Sequence, residues 1–232
     1  MIKFHPSERL LKLFAAGELS AGLGLAVSVH LEYCKDCRES VREYEFELAE
    51  KALNKVQPEV EENVSFDGML ENIFNLADEQ GAKPSQDARL SVKPEQQKIK
   101  MLQVGQHKFK LPKILSDRSE QKKRWHSIGG VHTKSIGDFD EYKANLIYIE
   151  PATDVPPHTH KSLELTVVLS GSFKDEHGEY NAGDFIVVDD TVEHSPVTFD
   201  SKCCLCLSVM DEPMHFTQGK ARLLNPLARL MF

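Results

Sequence analysis

The chain has 232 residues, 41% hydrophobic and 28% charged, with a formal net charge of −8. That balance belongs to a folded globular protein and excludes disordered and fibrous classes. No apolar run approaches the ~18 residues that cross a bilayer, and the opening Met1-Ile2-Lys3-Phe4-His5-Pro6 carries no signal core, so a cytoplasmic location without membrane contact is expected.

The first third reads as helices. Ser7 is a capping residue for a helix with Leu10, Leu11, Phe14 and Ala15 at helical spacing, and Gly17 is a stop. A second helix is expected over residues 21–33 and a third over 36–54, the latter with Val41, Tyr44, Leu48 and Leu53 among many glutamates. Pro58 and the acidic Glu59, Glu61 and Glu62 form a connector. Phe66, Met69, Leu70, Ile73 and Phe74 then make a narrow apolar stripe on a fourth helix ending near Gly81. That stripe suits packing on the neighbouring helices or docking of a partner in a groove, which makes its residues partner-binding candidates. Residues 1–80 hold eight basic against sixteen acidic side chains, so the whole net acidity lies there. An acidic segment argues against direct nucleic-acid binding and suits a basic protein partner.

Residues 83–98 are polar and poor in apolar side chains, the composition of a linker. From Met101 the pattern changes to short apolar runs between turn residues, with strands expected at 125–128, 145–150, 165–170, 185–188 and 204–210. The fold class is therefore α + β in two domains: helices over 1–82 and an antiparallel sandwich or barrel over 99–232.

Two constellations carry chemistry. Five cysteines in two clusters are a poor disulfide framework, which favours thiols or metal ligands. His30, Cys34 and Cys37 form H-x3-C-x2-C across the junction of the second and third helices. Positions i and i+4 share a helix face, and C-x2-C lets two thiolates chelate one tetrahedral zinc. His5 is the other soft ligand available in the first hundred residues and makes a fourth. The alternatives are a thioredoxin-like redox pair, although no βαβ pattern surrounds the two cysteines, and two ordinary cysteines beside an exposed histidine.

The second constellation is His158-x-His160-x3-Glu164 with His194 downstream. Residues i and i+2 share a strand face, so both histidines can look into a barrel, and a buried glutamate beside three imidazoles calls for a cation. Such a donor set suits Zn, Fe, Mn, Cu or Ni. Cys204 and Cys206 share a strand face as well, either as inward thiols open to redox chemistry or as ordinary buried residues.

His5-Pro6, Leu10-Leu11, Ala15-Ala16-Gly17 and His30-Leu31-x2-Cys34-x2-Cys37-Arg38 resemble the start of the zinc-binding anti-sigma factors of the ChrR type, and the second constellation resembles the paired cupin motifs. That family has this two-part order. Ala152, Asp189, Thr191 and Thr198 depart from the usual cupin residues, which weakens an enzyme assignment more than a fold assignment. The resemblance implies zinc at His5, His30, Cys34 and Cys37. It also implies a cupin domain, whose second divalent metal, zinc foremost, would be held by His158, His160, Glu164 and His194. The partner implied is an extracytoplasmic-function sigma factor, and the signal a reactive oxygen species such as singlet oxygen or organic peroxide. Regulation rather than catalysis is expected. The rival reading is a dioxygenase-like cupin metalloenzyme with a helical regulatory appendage.

Overall fold

Ser7 accepts a hydrogen bond from the Leu10 amide at 3.3 Å and caps α1 (Glu8–Ala15), as its position before the apolar stripe predicts. The structure, a computed structural model, describes residues 2–55, 68, 101–116, 124–226 and 228. α2 (Ala21–Tyr33) and α3 (Lys35–Lys55) follow, close to the expected spans. The acidic connector, the stripe Phe66, Met69, Leu70, Ile73 and Phe74, and the 83–98 segment lie outside the described residues. Met1–Leu48 and Ile99–Phe232 belong to one compact unit and Ala49–Lys98 to a second.

In the larger unit the strands are β1 (Met101–Val104), β2 (His107–Lys110), β3 (His126–Ile128), β4 (Val131–Phe139), β5 (Tyr142–Ile149), β6 (His158–Thr159) and β7 (Glu164–Lys174). They continue as β8 (Glu179–Asn181), β9 (Phe185–Val188), β10 (Glu193–His194), β11 (Val197–Thr198), β12 (Cys204–Met210) and β13 (His215–Phe216). A short α4 (Lys113–Ser116) and a 3-10 turn at Gly219–Leu224 complete the described elements. The main sheet runs β11-β7-β12-β5-β4-β3 with β8 and β9 also paired to β7, a second sheet runs β10-β6-β13, and β1-β2 is a hairpin. The ladders are antiparallel. β1, β2, β4 and the short β8, β10, β11 and β13 have no counterpart among the expected strands. β4 hides because a register shift between Ser135 and Gly137 breaks its alternation and it carries Lys134 and Asp138.

All seven residues of β12 are buried, the mark of a central strand covered on both faces. Leu205, Leu207 and Val209 join Leu146 of β5 and Leu165 and Val167 of β7 in the cluster that also contains Leu25, Val27 and Val29 of α2. The alternate residues Cys204 and Cys206 belong instead to an inner cluster with Ile149, Val168, Phe173 and Ile186. One face of the sheet therefore carries the helices and the other lines the barrel. α2 is apolar on all sides because it is enclosed, with Gly22, Leu25, Ala26, Val27, Val29 and His30 buried. Gly22 sets how closely it approaches: a Cβ there would lie 2.5 Å from Cβ of Tyr142 on β5.

Candidate metal centres

The first centre is assembled at three helix ends. His5 precedes α1, His30 occupies the last turn of α2, Cys34 caps α2 in an extended conformation, and Cys37 lies in the first turn of α3. Extension at Cys34 turns the chain so that α3 can begin at once, which brings Cys37 back over His30. The four ligand atoms lie within 4.8 Å of one another. His5 Nδ1 is 3.5 Å from Cys34 Sγ and 3.3 Å from Cys37 Sγ, and His30 Nε2 is 3.3 Å from Cys37 Sγ. Tetrahedral zinc with bonds of about 2.3 Å to sulfur and about 2.0 Å to nitrogen separates such pairs by about 3.6 Å, so the donors fit that ion.

The protonation states suit it as well. Burial pushes His30 down to about 4, which keeps its imidazole neutral. Its Nδ1–H donates to the Gly183 carbonyl at 2.8 Å, which leaves the Nε2 lone pair for a metal. Burial, reinforced by Cys34, pushes the Cys37 thiol up to about 12. Ionising that thiol here would take the positive charge of a metal.

The second centre lies inside the barrel. His158 and His194 are register partners across β6 and β10, with ring centroids 4.4 Å apart. His160 Nε2 approaches His194 Nε2 at 3.4 Å and Glu164 Oε2 at 2.7 Å. His158, His160, Glu164 and His194 are all buried. The three imidazoles form a group able to hold a metal, and Glu164 joins it through His160.

Hydrogen bonds fix the donor atoms. His158 Nδ1 donates to the Pro156 carbonyl at 2.9 Å and His194 Nδ1 to Asp175 Oδ2 at 3.3 Å, so each presents Nε2 to the centre. Glu164 Oε1 accepts from Ser208 Oγ at 2.5 Å and Thr166 Oγ1 at 3.2 Å, which leaves Oε2 for the cation. Burial pushes His158 down to about 4. Burial opposes ionisation of Glu164, but His160 beside it outweighs that cost and holds the carboxyl well below the usual carboxylate range. Burial also disfavours the charged form of His160, yet Glu164 raises it overall. A buried carboxylate at the edge of three buried imidazoles suits a cation, and three imidazoles with one carboxylate suit the borderline transition metals.

Cys204 and Cys206 are reduced, with sulfurs 3.4 Å apart on the inner face of β12. They continue the row that ends in Ser208, the residue that holds Glu164. Spacing could not reveal Asp175, Ser208 or the Gly183 carbonyl. Asp175 and Ser208 carry no ligand spacing, and a backbone oxygen has no side-chain signature.

Residues 118–212 match the family model described as the ChrR Cupin-like domain. The anti-sigma-E factor ChrR of Cereibacter sphaeroides is 30% identical over 237 residues, covering 99% of both chains. A crystal structure of Rhodobacter sphaeroides SigE in complex with the anti-sigma ChrR matches with a TM-score of 0.63 at 27% identity, covering 91% of this chain and all of that one. The likeness extends over nearly the full length and so spans the segments that carry both centres, and this chain belongs to the ChrR family of anti-sigma factors.

Proposed function

We propose that this chain is a cytoplasmic regulator, not an enzyme, that binds an extracytoplasmic-function sigma factor, keeps it from RNA polymerase, and releases it when an oxidant acts on the barrel centre. The observation that carries the reading is the convergence of His5, His30, Cys34 and Cys37 at the junction of the N-terminal helices, in a member of a family whose solved complex holds a sigma factor. Zinc in that cluster would tie α1, α2 and α3 into one surface. α3 leaves Phe46 and Leu48 exposed, so the helical unit retains apolar surface for a partner. Phe66, Met69, Leu70, Ile73 and Phe74 are proposed from their sequence spacing as further partner-binding residues. No described helix is long and apolar enough to cross a membrane.

The barrel supports the sensing half of the reading. Its centre would hold a second divalent metal, zinc foremost, beside the thiols of Cys204 and Cys206. Thiols and imidazoles are oxidisable, and singlet oxygen or an organic peroxide is the class of signal they would meet. An apolar cavity of about 210 Å³, lined in part by Val131, Ile147, Met210 and Phe216, adjoins His158 through Phe216, with ring centroids 6.0 Å apart. The test is transcription from purified components: the zinc-loaded chain added to the cognate sigma factor and core polymerase should abolish promoter-specific transcript at stoichiometric amounts, and oxidant should restore it. Unchanged transcript at a large excess of loaded chain would refute the reading.

A further inference from the structure

Two of the four N-terminal donors are tied to the barrel as well as to the helical segment. His30 donates through Nδ1 to Gly183, in the turn between β8 and β9. His5 is exposed, and the strap that precedes it is bonded to the barrel. The amides of Lys3 and Phe4 donate to Asp184 Oδ1 at 2.7 and 3.1 Å, and the Phe185 amide donates to the Phe4 carbonyl at 3.0 Å. The Phe4 ring lies 4.8 Å from that of Tyr180. It also covers Gly178 closely enough that a Cβ there would come within 3.3 Å of its Cζ.

The surface under Phe4 leads directly to the other centre. Tyr180 donates its hydroxyl to Asp175 Oδ1 at 3.2 Å, and the amides of His177 and Gly178 donate to the same oxygen at 2.8 and 3.0 Å. The second oxygen of Asp175 takes the Nδ1–H of His194. One carboxylate thus orients a barrel donor with one oxygen and the seat of the strap with the other.

We propose that Asp175, Tyr180 and Phe4 couple the two centres, so that occupancy of the barrel site sets how firmly His5 holds the N-terminal metal. The inference rests on the reading that each centre holds a metal, and it assigns to Asp175 and Tyr180 a positioning role. With its Nε2 engaged, His194 is locked in one ring orientation and holds Asp175, the 175–178 turn and Tyr180 as a firm seat for Phe4. A free His194 loosens that seat, and the exposed His5 ligand loosens with it. Coupling between two sites is reciprocal and commonly amounts to about 5- to 150-fold in affinity.

The test uses the full chain loaded with cobalt at both sites. Thiolate-to-cobalt absorption reports the N-terminal centre alone, because the proposed barrel ligands include no thiolate. Its decay is followed in excess chelator for the parent, His158→Ala, Tyr180→Phe, Phe4→Leu, and each of the last two combined with His158→Ala. We expect His158→Ala to speed N-terminal cobalt loss about fivefold or more, and Tyr180→Phe or Phe4→Leu to reduce that effect to within about twofold. A purely structural role for Tyr180 would change the rates without abolishing the dependence on His158. Equal rates in parent and His158→Ala, or an effect undiminished by Tyr180→Phe, overturn the proposal. If the parent binds fewer than two metals per chain, the underlying reading fails with it. Two metals with uncoupled rates sink the coupling alone. Tyr180→Phe preserves the ring, so it decides the question even if Phe4→Leu does not fold.

Discussion

Asp184→Asn isolates the anchor of the strap with almost no change in shape. Asp184 is fully buried and accepts three backbone N–H groups: those of Lys3 and Phe4 on Oδ1 and that of Asn181 on Oδ2. An amide can offer an oxygen to only one side of that arrangement. If the oxygen stays with the strap, the Asn181 N–H faces an NH2 group, and a buried donor left unpaired costs about 1–3 kcal/mol. The two remaining bonds also lose their charge assistance, a further fraction of a kcal/mol to about 1 kcal/mol each. The total is about 3 kcal/mol, which for a unit of this size lowers the melting temperature by about 6–12 °C. Calorimetry of the zinc-loaded protein measures the shift, and chelator challenge should show faster loss of N-terminal zinc because His5 is tethered by the strap. A melt within about 1 °C of the parent, with unchanged zinc release, would show that the carboxylate does not carry the strap.

Cys37→Ser should leave the barrel metal in place, remove zinc from the N-terminal cluster and abolish sigma-factor capture; metal analysis beside a pull-down reads both, and retained capture without that zinc would contradict the assignment. Glu164→Gln should strip the barrel metal and bring the ratio of reporter output with and without oxidant towards one, whereas a normal response would remove the barrel centre from sensing. Dialysis against a strong chelator should lower the melting temperature by about 5 °C or more, since a ligand at about a hundred times its dissociation constant stabilises the fold by about 2.7 kcal/mol. Gly22→Ala should cost about 1–3 kcal/mol through its clash with Cβ of Tyr142, and Tyr142→Gly in the same chain, which removes that atom, should recover part of the loss; additive losses in the double variant would place the strain elsewhere.

Much of this molecule is legible in local pattern. Ser7 and Gly17 bracket α1 because capping chemistry is local, and the β12 run reads as a strand because a stretch buried on both faces has little polar content. The His30, Cys34 and Cys37 spacing is visible because a helix fixes i to i+4 geometry before any tertiary contact forms. What stays hidden is carried by long-range or backbone partners. Gly183 bonds His30 from 153 positions away through its carbonyl, and Ser208 reaches Glu164 across 44 residues. A polar segment at 83–98 suggests separable halves, but composition has no means of registering that the sheet face opposite the inner cluster is apolar in order to receive α2. That pairing is visible only in the packing of Leu205, Leu207 and Val209 with Leu25, Val27 and Val29.

The Gly183 carbonyl bears on how such a protein can be rebuilt or inherited. A helical segment transplanted onto an unrelated barrel would arrive with its His30 Nδ1–H facing whatever the new host presents, and an N–H without an acceptor leaves the ring free to flip tautomer or turn away. Gly183 also has φ of +97°, and a Cβ there would meet Ile2 Cδ1 at 2.7 Å, so a side chain on that turn would displace the amino terminus even if its carbonyl stayed in place. Recombination between relatives should therefore succeed when the 180–185 turn travels with the first five residues, and chimeras cut between them should lose zinc before they lose the barrel.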